Sequence, residues 1–168
     1  MLAAPRPILF LDVDGTLLPF GGPGMPVVPD APGVWTASSN PYLARIDRSL
    51  GPLLTGLGCD LVWATAWMDD ANEVIAPLLG LPRLPVADLP AYDGDIADDR
   101  LQWKTKALVR IAEGRPFVWV DDVIGEADRW FVELEHPGAA LLHKVGSDVG
   151  ITTDDLAVIE RWLRALRR

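Results

Sequence analysis

Short, nearly unbroken apolar runs alternate along this chain with longer stretches whose apolar residues recur every three or four positions. The runs are PILFLDV (7–13), CDLVWAT (59–65), FVWVDDV (117–123) and AALLHKV (139–145). Each is rich in Leu, Val, Ile or aromatic residues, and none alternates like a half-exposed strand. They predict strands covered on both faces, as in a parallel sheet. The stretches between them predict helices over 42–54, 69–80, 104–114 and 124–134, with a fifth over the closing TTDDLAVIERWLRALRR (152–168). In the second helix Val74, Ile75, Leu78 and Leu79 share one face, and Pro77 predicts an interruption of its hydrogen-bond ladder. Gly114 is placed to cap the third. The fifth opens with Thr before acids and closes with arginines, which suits the helix dipole and reads those arginines as solvated. Strands taking turns with helices specify an α/β fold: a doubly wound, mainly parallel, Rossmann-like sheet with helices on both faces. Such sheets bind ligands at the carboxyl ends of their strands.

The stretch PFGGPGMPVVPDAPGVW (19–35) is too rich in Pro and Gly for a helix, so it predicts a loop or small flap beside the first strand's end. At 168 residues, 49% hydrophobic and 23% charged, the chain fits one domain spanning 1–168. The two places for an inserted cap, 17–58 and 66–103, are short and must also house scaffold, which predicts no large cap. A formal charge of −9 argues against an extended nucleic-acid-binding surface or attraction to anionic membrane. Cys59 is the only cysteine, so no internal disulfide or multi-cysteine zinc site is available, and it reads as a small buried apolar residue. The first apolar run is short and broken by Asp12, unlike a signal peptide, and no stretch approaches ~18 apolar residues. The expected location is cytoplasmic.

The chemistry lies in the polar residues that end the strands. In extended chain Asp12 and Asp14 project to one side, where their charges repel unless something positive lies between them. Asp121 and Asp122 end another strand in the same crevice, and four close acids are tolerable around a divalent cation; the hard-oxygen set specifies Mg²⁺. Thr65 offers a hydroxyl beside a backbone N–H, a pair suited to a phosphoryl oxygen. Lys104 opens a helix and supplies positive charge; Lys106 competes for that role but lies two residues round the helix. Asp121 and Asp122 point oppositely if both are in the strand, which leaves open which one meets the metal directly. Acid, metal, hydroxyl and lysine together make a phosphoryl-transfer set. Trp63, Trp119 and Trp162 fall in apolar patterns and read as core, whereas Trp35 and Trp67 near the mouth are candidates for base stacking. His136 and His143 have no partner pattern.

These residues resemble the haloacid dehalogenase (HAD) superfamily of aspartate-nucleophile phosphatases. LDVDGT resembles its first motif, LVWAT its second, Lys104 in WKTKAL its third and WVDDV its fourth, in order across roughly the whole chain. The resemblance implies Asp12 as nucleophile and metal ligand and Asp14 as general acid/base, ligating metal through its carbonyl. It implies Thr65 and Lys104 as phosphate-binding residues and Asp121 and Asp122 as the acid pair at the metal. More narrowly, VWATAWMDDANEVIAPLLGLP followed by WKTKAL and VWVDD is similar to small phosphatase-like domains associated with multidomain RNA-repair proteins. The expected function is Mg²⁺-dependent hydrolysis of a phosphate on a nucleotide or a polynucleotide end such as RNA. A small-metabolite phosphatase of the same superfamily is the alternative. From other classes, a receiver-like signalling domain uses similar groups in a different order, and a silent binding domain would not need intact acids at all four matched positions.

Overall fold

The computed structural model describes residues 5–22, 36–92 and 100–168. Four parallel strands form one sheet: β1 (Ile8–Leu11), β2 (Asp60–Trp63), β3 (Phe117–Asp121) and β4 (Ala140–Lys144), in the order β2-β1-β3-β4. The chain leaves β1 toward β2 on one side and leaves β3 toward β4 on the other. The strand order therefore reverses between β1 and β3, which is where a doubly wound sheet opens its ligand crevice.

Alternation along β1 and β3 feeds two cores. Leu9, Leu11, Val118 and Val120 pack with α1 (Leu50–Gly56), α2 (Ala76–Leu79) and α5 (Thr153–Ala165) through Leu54, Leu79 and Ile159. Ile8, Phe10, Phe117 and Trp119 pack on the other face with α3 (Thr105–Ala112) and α4 (Glu126–Glu135) through Leu108 and Val132. Helices thus cover both faces, which is why the strands read as continuous apolar runs. Trp63 and Trp119 are fully buried and Trp162 packs against the first core. Cys59 is buried, and desolvation pushes its thiol up to about 11.

Several local expectations are corrected. The helix expected over 42–54 is broken: Pro41–Arg45 is a 3₁₀ turn, Ile46 is extended, and α1 starts only at Leu50. The break has a cause in Asp47, whose carboxylate accepts the Ser49 N–H and hydroxyl at 2.9 and 2.6 Å, a local alternative to the helical ladder. The helix expected over 69–80 divides where Pro77 predicts, into a π-turn (Ala71–Ile75) and α2, and Gly80 caps it in the left-handed region. In α3 the cap is Glu113 (φ 47°) rather than Gly114, which follows at φ 79°; the two reverse the chain into β3. Each strand is shorter than its apolar run, so Asp12 and Thr65 lie just past strand ends. Residues 23–35 of the expected flap, with Trp35, lie outside the described residues. Among the described residues no helix is long and apolar enough to cross a membrane.

Helix α1 crosses the end of α2 so closely that a Cβ at Gly51 would overlap the Leu79 carbonyl, while one at Gly56 would meet nothing within 4 Å. Gly51→Ala is therefore expected to lower stability by about 1–3 kcal/mol through overpacking, and Gly56→Ala to leave it equal or higher. Urea unfolding midpoints of the two variants check this; equal midpoints would contradict the close crossing.

Candidate active site

β1 ends at Leu11, but the Asp12 N–H still donates to Val120 O at 3.2 Å, so Asp12 stays in register at the mouth of the β1–β3 crevice. Asp121, the last residue of β3, stands beside it. Lys104, immediately before α3, brings its ammonium between the two: Nζ lies 2.7 Å from Asp12 Oδ1 and 2.6 Å from Asp121 Oδ2. All three are buried, at 5% exposure for Asp12, 3% for Lys104 and 1% for Asp121. Lys106 is exposed on the flank of α3, so the lysine brought to the carboxylates is Lys104.

Burial works against the charge on Lys104, but Asp12 and Asp121 outweigh it and raise its pKa, so the ammonium persists. One ammonium does not balance the group. Burial first, then Asp121, hold Asp12 well above the usual carboxylate range against the pull of Lys104. Burial and Asp121 likewise push Asp122 up to about 7. Asp12, Asp121 and Asp122 each place one oxygen within 4.8 Å of the others. An all-oxygen donor set short of positive charge fits a hard divalent cation. The two neighbouring acids do not diverge as strict strand alternation requires: Asp121 closes β3 while Asp122 lies past it, and both reach the cluster. Asp121 is the one held by Lys104, with its Oδ1 also accepting the Val123 N–H at 2.9 Å.

The expected general acid stands apart. Asp14 is exposed at the rim, and its Oδ1 accepts the Trp67 Nε1–H at 3.0 Å. Trp67, expected as a stacking surface, spends its polar edge on Asp14 while its ring packs against the first core. Thr65 is fully buried, and its hydroxyl accepts the Trp67 N–H at 3.2 Å; it shapes the turn that presents Ala66 to the cavity. That cavity, of about 450 Å³, is lined by Asp12, Asp14, Lys104, Asp121 and Asp122 among others.

Sequence reasoning missed the residues that hold these groups. Thr16 donates its hydroxyl to Asp12 Oδ2 at 3.2 Å. Asp128, 1% exposed, accepts the Gln102 N–H at 2.8 Å, the Thr105 hydroxyl at 2.6 Å and the Gly125 N–H at 2.9 Å. It ties the start of α4 to the turn carrying Lys104. Its readable signal was an acid at the third position of a helix after Gly125, a capping pattern. Gly15 (φ 73°) sits in the left-handed region, and a Cβ there would overlap the Asp122 carboxylate.

The order of these elements, with Asp12 and Asp14 just past the first strand and the acid pair late, is joined by direct comparison. A family model described as the HAD domain in Swiss Army Knife RNA repair proteins matches residues 8–156. The chain belongs to that family. No curated protein and no solved structure matches it. Membership supports a phosphatase or hydrolase of the HAD type, and a divalent metal is the family's general requirement. The residues matched include all six candidates, the four acids Asp12, Asp14, Asp121 and Asp122 with Thr65 and Lys104, so the HAD family rather than a receiver domain accounts for their order.

Removing Lys104 would leave Asp12 and Asp121 buried and unpaired. Lys104→Met is expected to lose about 3–5 kcal/mol of stability in excess chelator, and Lys106→Met to stay within about 0.5 kcal/mol of wild type. Urea unfolding of both variants is the check, and equal losses would contradict the pairing.

Proposed function

We propose that this chain is a Mg²⁺-dependent phosphomonoesterase that works through an aspartyl-phosphate and acts on the phosphate of a nucleotide or a polynucleotide end. The observation that carries the reading is Asp12: a buried carboxylate fixed between Lys104 and Thr16 at the switch point of the sheet, with a second acid at the rim two residues on. Asp12, Asp121 and Asp122, with the Asp14 carbonyl, would hold Mg²⁺, which when bound offsets phosphate charge and polarises the phosphorus centre.

In this reading Lys104 and the Thr65–Ala66 turn seat the phosphoryl oxygens. A carboxylate oxygen of Asp12 attacks phosphorus, the bond from phosphorus to the ester oxygen breaks, and Asp14 gives its proton to the departing oxygen. Water then attacks phosphorus and passes its proton to Asp14; the Asp12–phosphorus bond breaks and inorganic phosphate leaves. Trp67 supports the acid role by engaging Asp14 Oδ1 alone, which leaves Oδ2 to carry the proton. The family's description supports the substrate class, since its members are domains of RNA-repair proteins.

Turnover of p-nitrophenyl phosphate is expected to vanish in excess chelator and return with Mg²⁺. Asp12→Asn is expected to form no phosphoenzyme in rapid-quench labelling with ³²P substrate; labelling at the wild-type level would place the nucleophile elsewhere.

Loss of the acid should matter most where the leaving oxygen is most basic. Asp14→Asn is expected to slow an alkyl phosphate by about 10²–10⁴-fold and p-nitrophenyl phosphate by far less. Steady-state kcat/KM for the two esters decides it, and equal losses would remove Asp14 from the role.

A further inference from the structure

The cavity over Asp12 holds one cation and four aromatic rings. Lys104 is its only lysine or arginine among the described residues, whereas Phe20, Tyr42, Tyr92 and Trp103 line its walls from four separate segments. Tyr42 and Trp103 rest partly on the first and second cores, as Trp67 does, but unlike Trp67 they also face this cavity. Trp103 begins where the phosphate-facing charge ends: Lys104 Nζ lies 5.5 Å from the Trp103 ring centroid. Tyr92 meets Trp103 edge to face at 5.5 Å and 77°, which extends the aromatic wall outward. Tyr92 and Phe20 remain 55% and 41% exposed at the mouth.

We infer that Phe20, Tyr42, Tyr92 and Trp103 form a subsite for a single unpaired base, so that this enzyme recognises the terminal nucleoside carrying the phosphate and little beyond it. The inference rests on the phosphomonoesterase reading for where the phosphate sits. With Lys104 and the proposed Mg²⁺ committed to one phosphate, the described residues of the cavity offer no further cationic side chain for a phosphodiester or a polyphosphate chain. A base offers a flat π-face whatever its identity, and stacking on protein aromatics contributes about 5- to 150-fold per base. A volume near 450 Å³ lies in the range of pockets for single small ligands. The site therefore reads one nucleotide by stacking, without the steep salt dependence of enzymes that track a phosphate backbone. An aromatic metabolite phosphate shares this chemistry, and a longer oligonucleotide separates the two sources.

The test is calorimetric titration of the full chain carrying Asp12→Asn, in Mg²⁺, with adenosine 3′- and 5′-monophosphates, ribose 5-phosphate and the matching phosphorylated hexa-adenylate at 50 and 200 mM salt. The better adenosine monophosphate is expected to bind at least tenfold tighter than ribose 5-phosphate, and the hexanucleotide within about threefold of it at both salts. Tyr92→Ala with Phe20→Ala is expected to shrink the tenfold advantage below about threefold. The same ratio is read as kcat/KM on the chain with Asp12 intact, should Asp12→Asn fail to fold. Equal affinity for ribose phosphate and nucleotide would overturn the subsite, as would an advantage that survives both substitutions. A hexanucleotide that gains tenfold and loses it with salt would replace it with backbone recognition, and one excluded altogether would point to a free aromatic metabolite phosphate. Nucleotide binding of the expected kind without phosphate release by the unsubstituted chain would support the subsite while overturning the phosphatase reading.

Discussion

A single buried ammonium answers for more negative charge than it can balance. Lys104 lies between Asp12 and Asp121, and Asp122 adds a third carboxylate to the same cluster. Taking charges out of water costs several kcal/mol per ion, and even well-made buried ion pairs often contribute no more stability than apolar residues of the same volume. Stability therefore does not explain the arrangement. It fits the phosphatase reading proposed above: a carboxylate held still, positive charge within reach, and a residual deficit that a divalent cation would fill. The same constraint organises the fold, because β1, β3 and the start of α3 must all end at one point for the three groups to meet.

The charged groups are held by neighbours, one inside the motif that announces them and others outside it. Thr16 fixes Asp12, Trp67 fixes Asp14, and Asp128 fixes the Gln102–Thr105 turn from which Lys104 extends. Asp128 draws three donors from two segments and so couples the entrance of α4 to the placement of the lysine. A reacting group is useful only while its own orientation is fixed, and here the fixing is done by hydrogen bonds to fully or partly buried partners.

What could be read in the chain divides along the same line. Strands buried on both faces announce themselves as apolar runs, and acids ending such runs are anomalous enough to be noticed without any structure. The four motif segments and the preference for Lys104 over Lys106 followed from one-dimensional pattern alone. Asp128 did not, because an acid near a helix start has an ordinary capping use and its bonds to Gln102 and Thr105 span 26 and 23 residues. Trp67 was misjudged for a related reason. Sequence shows that an indole lies near the mouth but not which of its edges is engaged, and the engaged edge turned a stacking candidate into a brace for Asp14. The break before α1 was local and legible in principle, since Asp47 and Ser49 form a competing turn; the helical spacing of the apolar residues around them hid it.

The glycine of the first motif shows how tightly the two ends of the site are joined. A φ of 73° explains why glycine is favourable at position 15, and Asn can also adopt that region, so conformation alone would tolerate a substitute. The second constraint removes that tolerance: the Asp122 carboxylate occupies the space a Cβ at position 15 would need. The acid pair of the fourth motif thus packs against the bare backbone of the first, across more than a hundred residues of chain. Any side chain at 15 would displace Asp122 from Asp12 and Asp121 and open the carboxylate cluster that could hold a divalent cation. Motifs that look independent along the sequence are halves of one steric object, and the missing methyl group is what lets them close.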